Sequence, residues 1–308
     1  MDDHSLIEHC IAEAEKLGRY HREGNNSKVI LFGDVVLIKT KVSEEELLRA
    51  QQKIKDAKAD GIDTPAILDY KIIGEPDSKG KCECYILQER ALGKEFLDIG
   101  MTAVDESDIP REMADFANAP QEQYDKFISD WVTLEEKYSA RMDPRRTNYF
   151  IDTENKKFRS IDLVFEDNLA TRTNPIKMMA PYAYDWPKNE VEQEMTAIIT
   201  LKTVTALQKA KGLSNEEIAK GLFYLATDVN TGERIAECKE ADKNLFTYLK
   251  TNPSICKEFP NIDFAEIFRL REPLHALLSD FKYSPASNKG PQAPSLPNPN
   301  RINSTVID

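Results

Sequence analysis

From Lys28 to Lys39 the chain reads Lys-Val-Ile-Leu-Phe-Gly-Asp-Val-Val-Leu-Ile-Lys, two β-branched and apolar runs broken once by Gly33-Asp34. A two-residue Gly-Asp break between such runs is a hairpin signal, because few other pairs supply the turn that matches the twist of the flanking strands. This commits the start of the chain to an antiparallel sheet. Ser43-Glu44-Glu45-Glu46 then offers a helix start, and the helical pattern runs to Asp60 before Gly61 and Pro65 stop it. Ile67 to Ile73 and Lys81 to Gln88 read as two more strands around the turn-rich stretch 74–80. Ahead of the hairpin, Leu6, Ile7, Cys10, Ile11, Ala14 and Leu17 fall on one helical stripe, which reads as a surface helix. The segment lacks the basic, apolar and small-residue order of a secretory signal.

Beyond Gly93 the character changes. Asp98 to Gln123 is polar and acidic, and helical periodicity resumes over Tyr124 to Ser139 through Phe127, Ile128, Trp131, Leu134 and Tyr138. Glu190 to Lys211, Ser214 to Asp228, Asp242 to Thr251 and Asp263 to Phe281 are further helices, with Ser214 and Glu217 spaced as a capping box. The expected fold class is therefore α+β and bilobal: an N-terminal helix at 1–22, a small β-rich lobe at 23–92, a mainly helical lobe at 93–281, and a tail at 282–308. The tail is rich in Pro, Ser and Asn, a composition that cannot bury enough apolar surface to order itself.

Composition narrows the function. The formal net charge is -12, and no block of Lys and Arg forms a stripe that could follow a phosphate backbone, which argues against a nucleic-acid partner. The five cysteines show no paired CxxC spacing, so neither a disulfide framework nor a structural zinc site is expected. His4, His9, His21 and His275 stand apart from any cluster with metal-ligand spacing. No apolar run approaches the roughly 18 residues of a membrane span.

The chemistry-bearing stretch runs from Arg141 to Asp152 and is followed by Arg159-Ser160-Ile161-Asp162-Leu163. Asp143 and Asn148 have the D-x-x-x-x-N spacing of a kinase catalytic loop, in which the Asp orients the substrate hydroxyl and the Asn holds magnesium. Asp162 follows a short hairpin, where a second magnesium ligand belongs. Phosphoryl transfer needs such a set, because dispersed negative charge on the moving group is neutralised by hard cations held on carboxylate and amide oxygens. Alone, this spacing also suits a capped turn between strands; the upstream hairpin is what gives it context. Gly24-Asn25-Asn26-Ser27 precedes a strand ending in Val36-Leu37-Ile38-Lys39, the shape of a phosphate-covering loop followed by a lysine that reaches ATP phosphates. Glu44 is the acid best placed to pair with Lys39, since Leu47 and Leu48 follow it on the inward face, with Glu45 and Glu46 as alternatives.

In this order the residues resemble the protein-kinase fold, and within it the NleH/OspG-type kinases that bacterial pathogens inject into host cells. Leu92-Gly93-Lys94-Glu95-Phe96-Leu97-Asp98-Ile99 is similar to the hinge of that group, and Phe158-Arg159-Ser160-Ile161-Asp162-Leu163 to its magnesium motif. The resemblance implies an atypical Ser/Thr kinase secreted into the host cell, using ATP and magnesium on host proteins. Glu89 and Ala91 of the hinge and Gly24, Asn25, Asn26, Ser27, Lys39 and Glu44 would then meet the nucleotide. Asp143 would be the base, Arg145 would take the place of the phosphate-contacting Lys, and Asn148 and Asp162 would hold metal. Three departures stand out. The nucleotide loop has a single glycine, Met142 replaces the Arg that reads a phosphorylated activation loop, and Leu163-Val164 replaces Phe-Gly after the magnesium Asp. The first implies weak ATP affinity; the second implies activity that is either constitutive or driven by a host cofactor, a ubiquitin-conjugation component or a polyphosphorylated small molecule suited to Arg269 and Arg271; the third leaves a pseudokinase open. A small-molecule phosphotransferase of the aminoglycoside-kinase type and a weakly catalytic pseudokinase module are the alternatives.

Overall fold

The structure is a computed structural model that describes residues 3–18, 22–23, 27–95, 109–142, 149–160, 163–165, 190–224 and 245–270. Its fold class is α+β. The described residues divide into two compact units: those within 3–115 and 129–165 form the first, and those within 116–128 and 190–270 the second. The described strands past Gly93 fall in the same unit as the N-terminal sheet. The expected tail lies outside the described residues.

The first unit is built on a five-stranded antiparallel sheet in the order β1-β2-β3-β5-β4, comprising β1 (Arg22–Glu23), β2 (Lys28–Phe32), β3 (Val35–Val42), β4 (Ile67–Ile73) and β5 (Cys82–Glu89). The Gly33-Asp34 turn sets the register of β2 on β3, with Phe32 opposite Val35 and Lys28 opposite Lys39. Helix α1 (Asp3–Leu17) covers one face of the sheet. Its Ile7, Cys10, Ile11 and Ala14 pack with Ile30, Leu37, Tyr85 and Leu87, so the expected surface helix is half core. Each fully buried aliphatic side chain contributes about 1.5–3 kcal/mol, which is what docks so short a helix. Leu17, last on the stripe, is left exposed.

Helix α2 (Glu44–Ala59) covers the opposite face through Leu47, which joins Val42, Cys84 and Ile86. It begins in a capping box: Ser43 Oγ accepts from Glu46 N–H at 3.2 Å, and Glu46 Oε2 accepts from Ser43 N–H at 3.1 Å. Leu48, expected to face inward with Leu47, is 47% exposed, since adjacent helical positions lie 100° apart. Burial pushes the Cys84 thiol up to about 12, with Cys82 and Glu83 adding to the rise, so this cysteine is an inert part of the core.

Past the sheet come β6 (Lys94–Glu95), α3 (Ile109–Asn118), α4 (Gln121–Tyr138), β7 (Ala140–Met142), β8 (Tyr149–Asp152), β9 (Lys157–Ser160) and β10 (Leu163–Phe165). Helix α3 lies in the stretch read from sequence only as polar and acidic; its Met113, Phe116 and Ala117 are buried. Strands β8 and β9 form a hairpin, β6 pairs with β8, and β7 pairs with β10. The hairpin turn is closed by Asp152, whose carboxylate accepts from the Asn155 N–H at 3.0 Å and from Asn155 Nδ2 at 2.9 Å.

In the second unit, α5 (Glu190–Lys211) is buried along Met195, Ala197, Ile199, Leu201, Val204 and Leu207. Thr200 and Thr203 are buried with them, and their hydroxyls are satisfied by the carbonyls of Thr196 and Ile199. Helix α6 (Asn215–Tyr224) starts at the expected Ser214–Glu217 box, and further helices run over 245–251 and 264–270.

Gly93 has φ 122°, and a Cβ there would sit 2.4 Å from the Ile151 carbonyl oxygen. Gly33 also has positive φ, but a Cβ there meets nothing within 4 Å. Gly93→Ala is therefore expected to lower unfolding free energy by about 1–3 kcal/mol or more, and Gly33→Ala by about 1–2 kcal/mol, measured as denaturant midpoints.

Candidate functional site

Lys39 lies in β3, the third strand of the sheet, followed by α2: the element order expected of a kinase-like lobe. Side chains of a strand alternate between faces. Val42 and Ile38 therefore point to the α2 side with Cys84 and Ile86, whereas Leu37 and Lys39 share the α1 side with Tyr85. There Lys39 Nζ is 3.1 Å from Glu83 Oε1 and 5.5 Å from the centroid of the Tyr85 ring. The expected pairing of Lys39 with an acid of α2 is thus corrected, since the two sit on opposite faces of the sheet. The helix acids have local partners. Glu46 closes the cap, Glu45 meets Arg49 at 2.9 Å, and Glu44 Oε1 lies 3.4 Å from the Tyr70 hydroxyl that donates to it. Burial raises the Tyr70 pKa, and the negative charge of Glu44 adds to the rise.

Of the hinge residues, Ala91 is buried, and Glu89 ties three elements together. Its Oε2 accepts from Lys58 Nζ at 2.6 Å and from the Ala66 N–H at 3.0 Å, while its own N–H donates to the Ala66 carbonyl at 2.9 Å. Burial alone pushes the Glu89 carboxyl up; the hydrogen bonds from Lys58 and Ala66 outweigh it and hold the group below the ordinary glutamate range. Ser27 is buried just ahead of β2. Gly24, Asn25 and Asn26 lie outside the described residues.

Asp143, Arg145, Asn148 and Asp162 also lie outside the described residues. One chain neighbour of each of Asp143, Asn148 and Asp162 is described. Met142, bonded to Asp143, is paired directly with Leu163, bonded to Asp162. Tyr149, bonded to Asn148, is paired with Ser160, two residues before Asp162. The short hairpin expected between Asn148 and Asp162 is present as β8 and β9. Among the described residues no group of three or more His, Cys, Asp and Glu side chains is placed to hold a metal ion, and no helix is long and apolar enough to cross a membrane.

Sequence reasoning missed two acids. Asp60, the C-cap of α2, accepts on one carboxylate oxygen from both Lys137 Nζ and the Tyr138 hydroxyl. Asp63 Oδ2 meets Lys157 Nζ at 3.2 Å and Arg159 Nε at 3.3 Å. No local signal announces them, because their partners are 77 to 96 residues away.

The face assignment of Lys39 has a direct check. A double-mutant cycle of Lys39→Met with Glu83→Gln is expected to give a coupling of about 0.2–1 kcal/mol, typical of a partly exposed pair, and the cycle with Glu44→Gln none. Glu89 makes a prediction in pH. Its folded pKa is depressed, so its contribution is present above the unfolded pKa near 4.3 and is lost as pH falls through the lower folded value. Glu89→Gln should therefore remove part of the fall in thermal midpoint between about pH 5 and pH 3.

No family model matches the chain, and no curated protein matches it. Solved structures do match. WaaP in complex with acyl carrier protein is similar at 12% identity, covering 83% of this chain and 88% of that one, with a TM-score of 0.31. The MAP kinase LmaMPK10 from Leishmania major is similar at 10% identity over 91% of this chain and 100% of that one, with a TM-score of 0.29. The L. pneumophila effector kinase LegK7, in complex with human MOB1A, is similar at 11% identity over 87% and 63%, with a TM-score of 0.27. Scores this low decide nothing about the site, whose function rests on its own residues.

Proposed function

We propose that the chain is a kinase-type phosphotransferase that moves the γ-phosphoryl group of ATP to a hydroxyl. What supports the reading is that Asp143, Asn148 and Asp162 are each the immediate chain neighbour of a residue held in a β-ladder, namely Met142, Tyr149 and Leu163. Carboxylate and amide oxygens are the hard donors magnesium prefers, so Asn148 and Asp162 would hold it. The ion would supply neutralisation of charge on the phosphoryl oxygens. Asp143 would accept the hydroxyl proton and keep the attacking oxygen in line, and Arg145 would steady the phosphoryl group by charge. The acceptor in this reading is a protein, and the resemblance to injected kinases would place it in a host cell.

A second reading, a non-catalytic binding module of the same architecture, is favoured by one observation: Lys39 faces α1 and meets Glu83 instead of an acid of α2. The two readings separate on one variant. Asp162→Ala is expected to lower magnesium-dependent ATP turnover by a factor of about 100 or more while leaving the circular-dichroism melt in place. Equal turnover by wild type and variant would overturn the first reading, and a wild type with no thermal shift in magnesium-ATP would support the second.

A further inference from the structure

The two ends of α2 behave differently. At the N-terminal end Glu46 is spent on the cap and Glu45 on Arg49, both within the helix's own first turns, and Glu44 alone of the three acids reaches another element, at Tyr70 of β4. From its middle to the turn beyond it, the contacts go to four separate pieces of chain. Lys58 Nζ reaches Glu89 at the end of β5 at 2.6 Å. Lys53 Nζ lies 5.8 Å from the centroid of Phe165 in β10, three residues past Asp162. Asp60 accepts from Lys137 and Tyr138 at the end of α4, just before β7. Asp63 bridges Lys157 and Arg159, which share one face of β9 just ahead of Asp162. Strands β9 and β10, and the residues leading into β7, are therefore tied to this one segment. The chemistry of the two acids is specific as well. Each brings two donors onto a single carboxylate oxygen, and removing the Asp63 charge would take away the carboxylate that Lys157 and Arg159 share.

We propose that Asp60 and Asp63 are positioning residues for the phosphotransfer segment, and that α2 sets the β7–β10 ladder and the β8–β9 hairpin from its C-terminal end. In kinases an ion pair between the strand lysine and the helix acid couples the helix to the nucleotide site; here Lys39 is on the wrong face for it. The proposal rests on the reading in the preceding section for what the segment does, but the positioning itself is a property of the strands and is measurable without turnover.

The test uses the full chain with Asp60→Asn, Asp63→Asn and the rescue variant Asp63→Glu. Backbone hydrogen exchange is followed at 140–142 and 163–165, with 84–87 in β5, an interior strand of the sheet, as internal reference. Exchange at the ladder is expected to quicken about tenfold or more in the Asn variants, with the reference strand unchanged and Asp63→Glu close to wild type. In the same proteins phosphotransfer kcat should fall about 10- to 100-fold, with the KM for ATP within about twofold. Ladder exchange that does not change, or that quickens equally in the reference strand, would overturn the positioning role. A wild type that transfers no phosphate would refute the reading of function alone, and the exchange result would still decide the positioning.

Discussion

Period-two alternation along β3 is the constraint on which the sheet unit depends. Because Leu37 and Ile38 point to opposite faces, one strand has to find apolar cover on both sides, and the chain supplies it with α1 on one and α2 on the other. The same alternation decides the environment of Lys39. A cation within an apolar strand is tolerated here because it leaves the core on the α1 side, where the Glu83 carboxylate and the face of the Tyr85 ring both meet its charge. A shift of one residue in register would send Lys39 among Leu47, Cys84 and Ile86 and Leu37 out of its cluster, so the hydrophobic pattern and the lysine's surroundings are one fact.

Hydrophobic burial and charge do separate jobs around α2. Leu47, Ala50, Ile54 and Ala57 are buried along its inner stripe and supply most of the energy that docks the helix. The charged contacts at its far end are partly exposed, and each such pair contributes little on its own. Their value is directional. A carboxylate oxygen shared by two donors specifies where a strand lies more narrowly than an aliphatic contact, which tolerates sliding. Asp60 and Asp63 thus add geometry where Leu47 adds stability. Glu89 does the same at the end of β5, where it meets Lys58 and the Ala66 N–H together.

Much of this protein was written locally and could be read locally. The Gly33-Asp34 hairpin, the Ser43–Glu46 and Ser214–Glu217 boxes, the strands around 74–80 and the long helix from Glu190 to Lys211 all follow from propensity, periodicity and turn chemistry within a few residues. Asp143, Asn148 and Asp162 stand in the sequence as a spaced set, and the hairpin expected between the last two is present as β8 and β9. Helix α3 was passed over because acids around it hid the spacing of Met113, Phe116 and Ala117. Which face Lys39 takes, that α1 belongs to the core, that Leu48 points outward, and that Asp60 and Asp63 hold residues 77 to 96 positions away were settled only by tertiary structure. The reason is physical. A strand's pattern says which residues share a face but not what will cover that face, and an aspartate's charge reaches whatever the fold brings beside it, however far along the chain that partner was made.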